Sequence, residues 1–192
     1  MKKGLIILVG LFGLLFFAGI TIYGIFVGTQ HSLVQKDEAV KAAWSQVDIN
    51  LQRRADLIPN LVETVKGYAK EETTVFGDIA NARAGLLNAH TPQDKMAANG
   101  HLDSAFGRLL ALKESYPELK SNAQFMRLQD ELAGTENRIA VSRRGYNQTL
   151  KDYNTYVREF PASFLAWMLG FATNEAYFEA SASSRSVPNV KF

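Results

Sequence analysis

Apolar side chains that return every seven residues constrain a chain strongly, because they commit it to helices that bury one face. Val40, Val47, Arg54, Leu61, Tyr68 and Val75 form one such row, and Trp44, Leu51, Ile58, Val65, Glu72 and Ile79 form another. The rows are offset by four, the spacing of a packed helix seam. Only Arg54 and Glu72 put charges into it. The pattern predicts one long helix running on towards Leu87, closed by "NAHTPQD" at 88–94, with Thr91 and Pro92 as N-cap and first residue of the next. Leu102, Ala105, Phe106, Leu109 and Leu112 predict that shorter helix, which ends before Pro117. A second long helix carries Phe125, Leu132, Ile139, Tyr146, Tyr153 and Phe160, beside Gln129, Glu136, Arg143, Leu150 and Val157, and stops at Pro161. Strand-type alternation is absent.

Ahead of these rows, residues 4–28 read "GLIILVGLFGLLFFAGITIYGIFVG" without a charge. As a helix the run spans roughly 37 Å, more than the ~30 Å hydrocarbon core of a bilayer. It is too long for the apolar core of a signal peptide, and no A-x-A-like cleavage site follows. The fold class is therefore all-α, an N-terminal transmembrane helix followed by an elongated antiparallel helical bundle of three to four helices. The expected organisation is a cytoplasmic stub at 1–3, the span at 4–28, a bundle domain at 29–178 and a polar tail at 179–192. Gly24 and Gly28 have the small-xxx-small spacing through which membrane helices pair. Lys2 and Lys3 oppose Lys36 and Lys41 across the span. The N-terminal pair lies closer to the membrane, which favours a cytoplasmic N-terminus and an extracytoplasmic domain.

Composition removes several classes of function. The chain has no cysteine, so disulfides and thiol chemistry are excluded. The formal charge of +2 is carried by Lys2 and Lys3, and the remaining 19 basic residues balance 19 acidic ones. A neutral domain lacks the footprint of a nucleic-acid binder or of a polybasic lipid-binding patch. His31, His90 and His101 lack metal-ligand spacing, and no nucleophile elbow or phosphate-cradling loop is present. No catalytic residue, metal or cofactor is expected.

The charges on the seam need partners, because an unpaired buried charge costs several kcal/mol. Glu136 opposite Arg54 satisfies both, and Arg143 is within reach of Asp56 or Glu136. Such a layer fixes helix register; the competing reading places these residues at the seam's edge with their charged heads in water. Pro59 either kinks the first helix, which the unbroken register favours, or follows Asp56 as the cap of a new one. "FLAWMLGF" brings Phe164, Leu165, Trp167, Met168 and Phe171 together. This segment is too short to span a bilayer, which leaves a cap on the bundle core, a protomer interface or an interfacial membrane contact.

"QRRADLIPNLVETVKGYA" at 52–69, "ARA" at 82–84, "TENRIAVSRRGYN" at 135–147, "FPASFLAWMLGF" at 160–171 and "AYFEA" at 176–180 resemble the LemA family of bacterial membrane proteins. The resemblance covers nearly all of the chain after the span. It implies a single-pass protein with an N-terminal membrane helix and a helical-bundle domain, and it implies no reaction. It also carries the opposite orientation, a small extracellular N-terminus. Relatives are associated with membrane protein quality control or envelope maintenance, and one branch with magnetosome membranes. The expected role is that of an inner-membrane scaffold in the cell envelope that forms a homo-oligomer. The alternative is an adaptor or regulator of a membrane protease or other envelope protein. The expected partners are the lipid bilayer and further copies of the chain, without nucleic acid.

Overall fold

A computed structural model of the chain describes residues 2–179; Met1 and the tail expected beyond Glu179 lie outside the described residues. The described residues form helices α1 (Lys2–Lys66), α2 (Thr73–Asn88), α3 (Pro92–Ser115), α4 (Pro117–Lys120), α5 (Ala123–Arg158) and α6 (Ala162–Leu169). No strand occurs among them, and the class is all-α.

The first long helix ends earlier than its rows predict. α1 stops at Lys66, and the Tyr68 and Ala69 amides both donate to the Val65 carbonyl as the chain turns. α2 then runs back along α1, with Lys66 Nζ 5.7 Å from the Phe76 ring centre and Arg83 reaching Ala55. Leu61 and Val65 are buried on α1 and Ile79 on α2, while Tyr68, between them in the numbering, is 39% exposed. Glu72 occupies the N-cap position of α2 and lies on no seam.

Two compact units make up the chain. One contains Ala42–Asn147 with the described part of Ala176–Phe192. Here α1 packs on α2, α3 and α5. Asp48 pairs with Lys95 and Arg54 with Asp103, so α3 runs parallel to α1. Asn50 bonds Ser142 and Arg54 pairs with Glu136, so α5 runs antiparallel to it. Val47, Leu51, Ile58, Leu61 and Val65 of α1, Leu102 and Leu109 of α3 and Leu132 and Ile139 of α5 are all buried and belong to the core. Each such aliphatic side chain contributes roughly 1.5–3 kcal/mol on burial. Thr91 starts α3 as expected: its hydroxyl accepts from the Asp94 amide at 3.1 Å and donates to Asp94 Oδ2 at 2.7 Å. This closes two groups of the first turn.

The other unit contains Met1–Lys41 with Gln148–Glu175. Its part of α1 includes a stretch long and apolar enough to cross a membrane, and none of the described residues buries that stretch. From Leu11 to Val27 the large apolar side chains are 43% to 72% exposed, except Phe26. Burial begins at Thr29 (7%) and Leu33 (0%). Alongside, α5 runs antiparallel, with Lys36 Nζ 5.3 Å from the Tyr156 ring centre and Leu150, Tyr153 and Val157 buried. Phe160, expected at the end of the α5 row, lies beyond the helix and is 87% exposed. α6 follows and closes on Gly170, whose φ of 80° is a left-handed turn that glycine takes without strain. The chain then continues without helix along α5.

Candidate functional site

The charges of the seam meet in the unit built from Ala42–Asn147. Arg54 Nη1 lies 2.8 Å from Glu136 Oε2, 2.6 Å from Asp103 Oδ1 and 3.2 Å from Asn99 Oδ1. Asn99 Nδ2 in turn donates to Asp103 Oδ2 at 3.0 Å. The Phe106 ring centre lies 5.8 Å from the guanidinium carbon. Three helices thus converge on one cation. The burial is uneven: the Arg54 side chain is 7% exposed, and those of Asp103 and Glu136 are 45% and 44% exposed. Most of the desolvation cost therefore falls on the arginine, and the acids keep half their contact with water.

The cluster differs in membership from the expected one. Asp56 is exposed and turned elsewhere, accepting from Gln52 Nε2 at 2.9 Å on its own helix. Asp103 and Asn99 of α3 take the place foreseen for it. Arg143 forms no ion pair or hydrogen bond among the described residues, and its Nε is buried without a partner. Its guanidinium carbon lies 5.2 Å from the Phe178 ring centre. Burial lowers the Arg143 pKa from its ordinary value, against the raising fields of Glu136 and Asp103. Arg53 lies off the seam and reaches Glu131 at 3.2 Å across the surface.

Pro59 lies inside α1, without a new cap at Asp56. A proline has no amide hydrogen, so the carbonyl four residues earlier, that of Ala55, loses its donor in the helix. Ala55 is buried, and Arg83 Nε of α2 donates to that carbonyl at 2.8 Å. The second arginine of this region is thus bound to the vacancy that the proline creates.

Two asparagines of α5 hold the chain after α6 by its backbone. In one unit, Asn154 donates to the Asn174 carbonyl at 2.7 Å and accepts from the Asn174 amide at 2.9 Å. Beside it, the Tyr153 hydroxyl donates to the Ala172 carbonyl at 2.9 Å. In the other unit, Asn147 holds Phe178 the same way, at 2.8 Å and 2.9 Å. The Phe178 ring stacks on Trp44 at 5.8 Å and meets Tyr146 edge-on at 5.6 Å.

Of the "FLAWMLGF" residues, Leu165 is buried and Phe171 half-buried. Phe164, Trp167 and Met168 are 59%, 79% and 48% exposed. The buried side of α6 packs within its unit and the other side is bare.

One open depression between α2 and α3 has residue types that a hydrolase would use, Asp78, His101 and Ser104. They are not connected: Asp78 pairs with Arg108 at 3.1 Å, and the Ser104 hydroxyl donates to the Gly100 carbonyl at 3.1 Å. Among the described residues no group of three or more acidic or histidine side chains is placed to hold a metal ion.

The profile of the LemA family matches residues 43–192. The chain is 26% identical over 183 residues to magnetosome protein MamQ 2 of Paramagnetospirillum magneticum, covering 82% of this chain and 67% of that protein. Against magnetosome protein MamQ of Magnetospirillum gryphiswaldense the identity is 24%, with the same shares covered. Protein LemA of Metamycoplasma hominis is 26% identical over 164 residues, covering 85% of this chain and 74% of that one. With three quarters of its length matched, and with an apolar first helix leading into packed helices, this chain belongs to the LemA family.

Proposed function

We propose that the chain is a membrane-anchored helical scaffold of the bacterial envelope that self-associates and performs no catalysis. Its domain lies on the extracytoplasmic side of the inner membrane. The observation that carries this reading is the closure of the Arg54 cluster. The buried cation is consumed by Glu136, Asp103 and Asn99 from two other helices, which spends the charge on holding helices in register. General acid-base work needs titratable groups facing a cleft, and here the charged groups face each other. The relatives named as magnetosome proteins support a role at a membrane.

Tethering identical domains in one plane raises their effective concentration, so weak contacts suffice for assembly. Gly24 and Gly28 offer one approach, since a Cβ at either position would meet nothing within 4 Å. Native mass spectrometry of the detergent-extracted protein should show a defined homo-oligomer, weakened by Gly24→Ile with Gly28→Ile. A monomer in both detergent and lipid would refute the scaffold. For orientation, exposed Thr74→Cys in the cysteine-free chain should react with a membrane-impermeant thiol reagent before the inner membrane is opened.

A second reading, an adaptor that presents substrates to a membrane protease or regulates it, is favoured by the asparagine clamps. Asn154 and Asn147 bind an extended chain through its peptide groups, a mode that suits peptides of many sequences. Crosslinking in cells should then capture a specific heterologous partner, and recovery of self-crosslinks alone would exclude it.

A further inference from the structure

We propose that the bare face of α6, together with Phe160, lies in the headgroup region of the same bilayer that α1 crosses, giving the chain a second, interfacial membrane contact. This contact is independent of self-association.

Everything involved belongs to one unit. α6 is two-sided: Ala162, Leu165 and Ala166 are at most 5% exposed and pack inward, whereas Phe164, Trp167, Met168 and Leu169 are 38% to 79% exposed. The Phe164 and Trp167 rings lie 6.3 Å apart, so the aromatic groups form one patch. Solvent exposure of neighbouring large apolar groups marks a surface meant for an apolar or interfacial partner.

The register of α1 against α5 identifies that partner. Lys36 lies over Tyr156, and the two helices are antiparallel. α5 ends at Arg158, two residues beyond Tyr156 and so level with Val34, two before Lys36, and Phe160 follows just past that end. Val34 is six residues past Gly28, the end of the uncharged span, hence about 9 Å along the helix axis. The headgroup layer on each side of the ~30 Å hydrocarbon core is about 5–8 Å thick. The end of α5 therefore lies at the outer edge of that layer, and the exposed side chains that follow it, Phe160 first, have the interface within reach. Tryptophan is favoured at this depth because its ring contacts acyl chains while the indole N–H stays hydrated, and phenylalanine is common on the apolar face of helices that lie in the interface. Burial on α1 begins at Thr29, where the span ends, and beyond it Val34 is the one large apolar residue of this unit's α1 that stays exposed among the described residues. The flanking Arg158 and Glu159 cancel in charge, so neutral lipid is sufficient.

The test uses the full chain in phosphatidylcholine vesicles. Trp44→Phe leaves Trp167 as the lone indole, since the chain has two tryptophans. Lipids brominated near the headgroup should quench its emission about twofold more than lipids brominated deep in the tails, as an interfacial indole requires. Dilution to one protein per vesicle should leave the quenching unchanged. A nitroxide on Met168→Cys, unique in this chain, gives an independent reading by its relative accessibility to oxygen and to a polar nickel chelate. An indole quenched by aqueous acrylamide but by neither brominated lipid would overturn the proposal. So would a blue-shifted emission that is lost on dilution, which would assign the patch to a second copy.

Discussion

Arg83→Met keeps most of the side-chain stem and removes the donor that reaches the Ala55 carbonyl. That carbonyl belongs to a residue with 0% exposure, so water is a poor substitute for the lost guanidinium. A hydrogen bond with a charged partner contributes about 1.5–3 kcal/mol, and an unsatisfied buried acceptor costs a similar amount. The expected loss is therefore about 2 kcal/mol. The vacancy exists only because residue 59 is proline. In a Pro59→Ala background the substituted residue's own amide donates to Ala55, and Pro59 is exposed, so the change opens no cavity. Arg83→Met should then cost less than half as much, a coupling of about 1–2 kcal/mol in the double-mutant cycle. Urea unfolding of the full-length protein in mild detergent, followed by far-UV circular dichroism, measures all four species, with unchanged slopes as the check on comparability. Equal losses in the two backgrounds would refute the assignment of Arg83 to the carbonyl freed by the proline.

Three further outcomes follow from the same geometry. Arg54→Met leaves two half-exposed carboxylates that water takes up and the buried Asn99 Oδ1 without its donor, at a cost of about 2 kcal/mol; Glu136→Leu with Asp103→Leu strands a nearly buried guanidinium and should cost about 3–5 kcal/mol. The reverse order in denaturant unfolding would show that the acids are the buried members. Burial raises the Tyr146 and Tyr153 pKa values above the ordinary 10.0. For a raised folded-state pKa the contribution is whole below the unfolded value and is lost as pH rises through the folded one, so the melting temperature should be flat up to about pH 10 and fall above it. Tyr146→Phe should make that fall shallower, and an unchanged alkaline profile would exclude the role. Thr91→Ala should lower stability by about 1 kcal/mol, the usual worth of an N-cap, read from the denaturant midpoint.

Much of the fold was legible because the packing is periodic. The rows on α1 and α5 mark their buried faces from Val40 to Val65 and from Phe125 to Val157. What misled was a coincidence of number: the turn at residues 67–72 preserves the seven-residue count, so the rows pass through it unbroken. Two charged exceptions stood in those rows and looked alike. Arg54 marks an ion cluster, and Glu72 marks the start of a new helix. The sequence pattern could separate them, since Gly67 precedes only the second. Asn99 and Asp103 were missed although they continue the line of Leu102 and Phe106 by one helical turn. Polar residues at the end of a short apolar row read as surface until a cation from another helix is placed opposite. Arg83, Asn147 and Asn154 could not be found this way, because each bonds to backbone, which carries no sequence pattern of its own.

The Asn154 clamp has a consequence for how such a chain varies. A side-chain amide that binds a peptide group is indifferent to the side chain on that group, so at this contact the constraint falls on Asn154 and none of it on the side chain of its partner. The contact therefore generates no compensating pairs of substitutions. Contact inference from covariation would overlook this hydrogen-bonded pair while detecting the neighbouring helix seams.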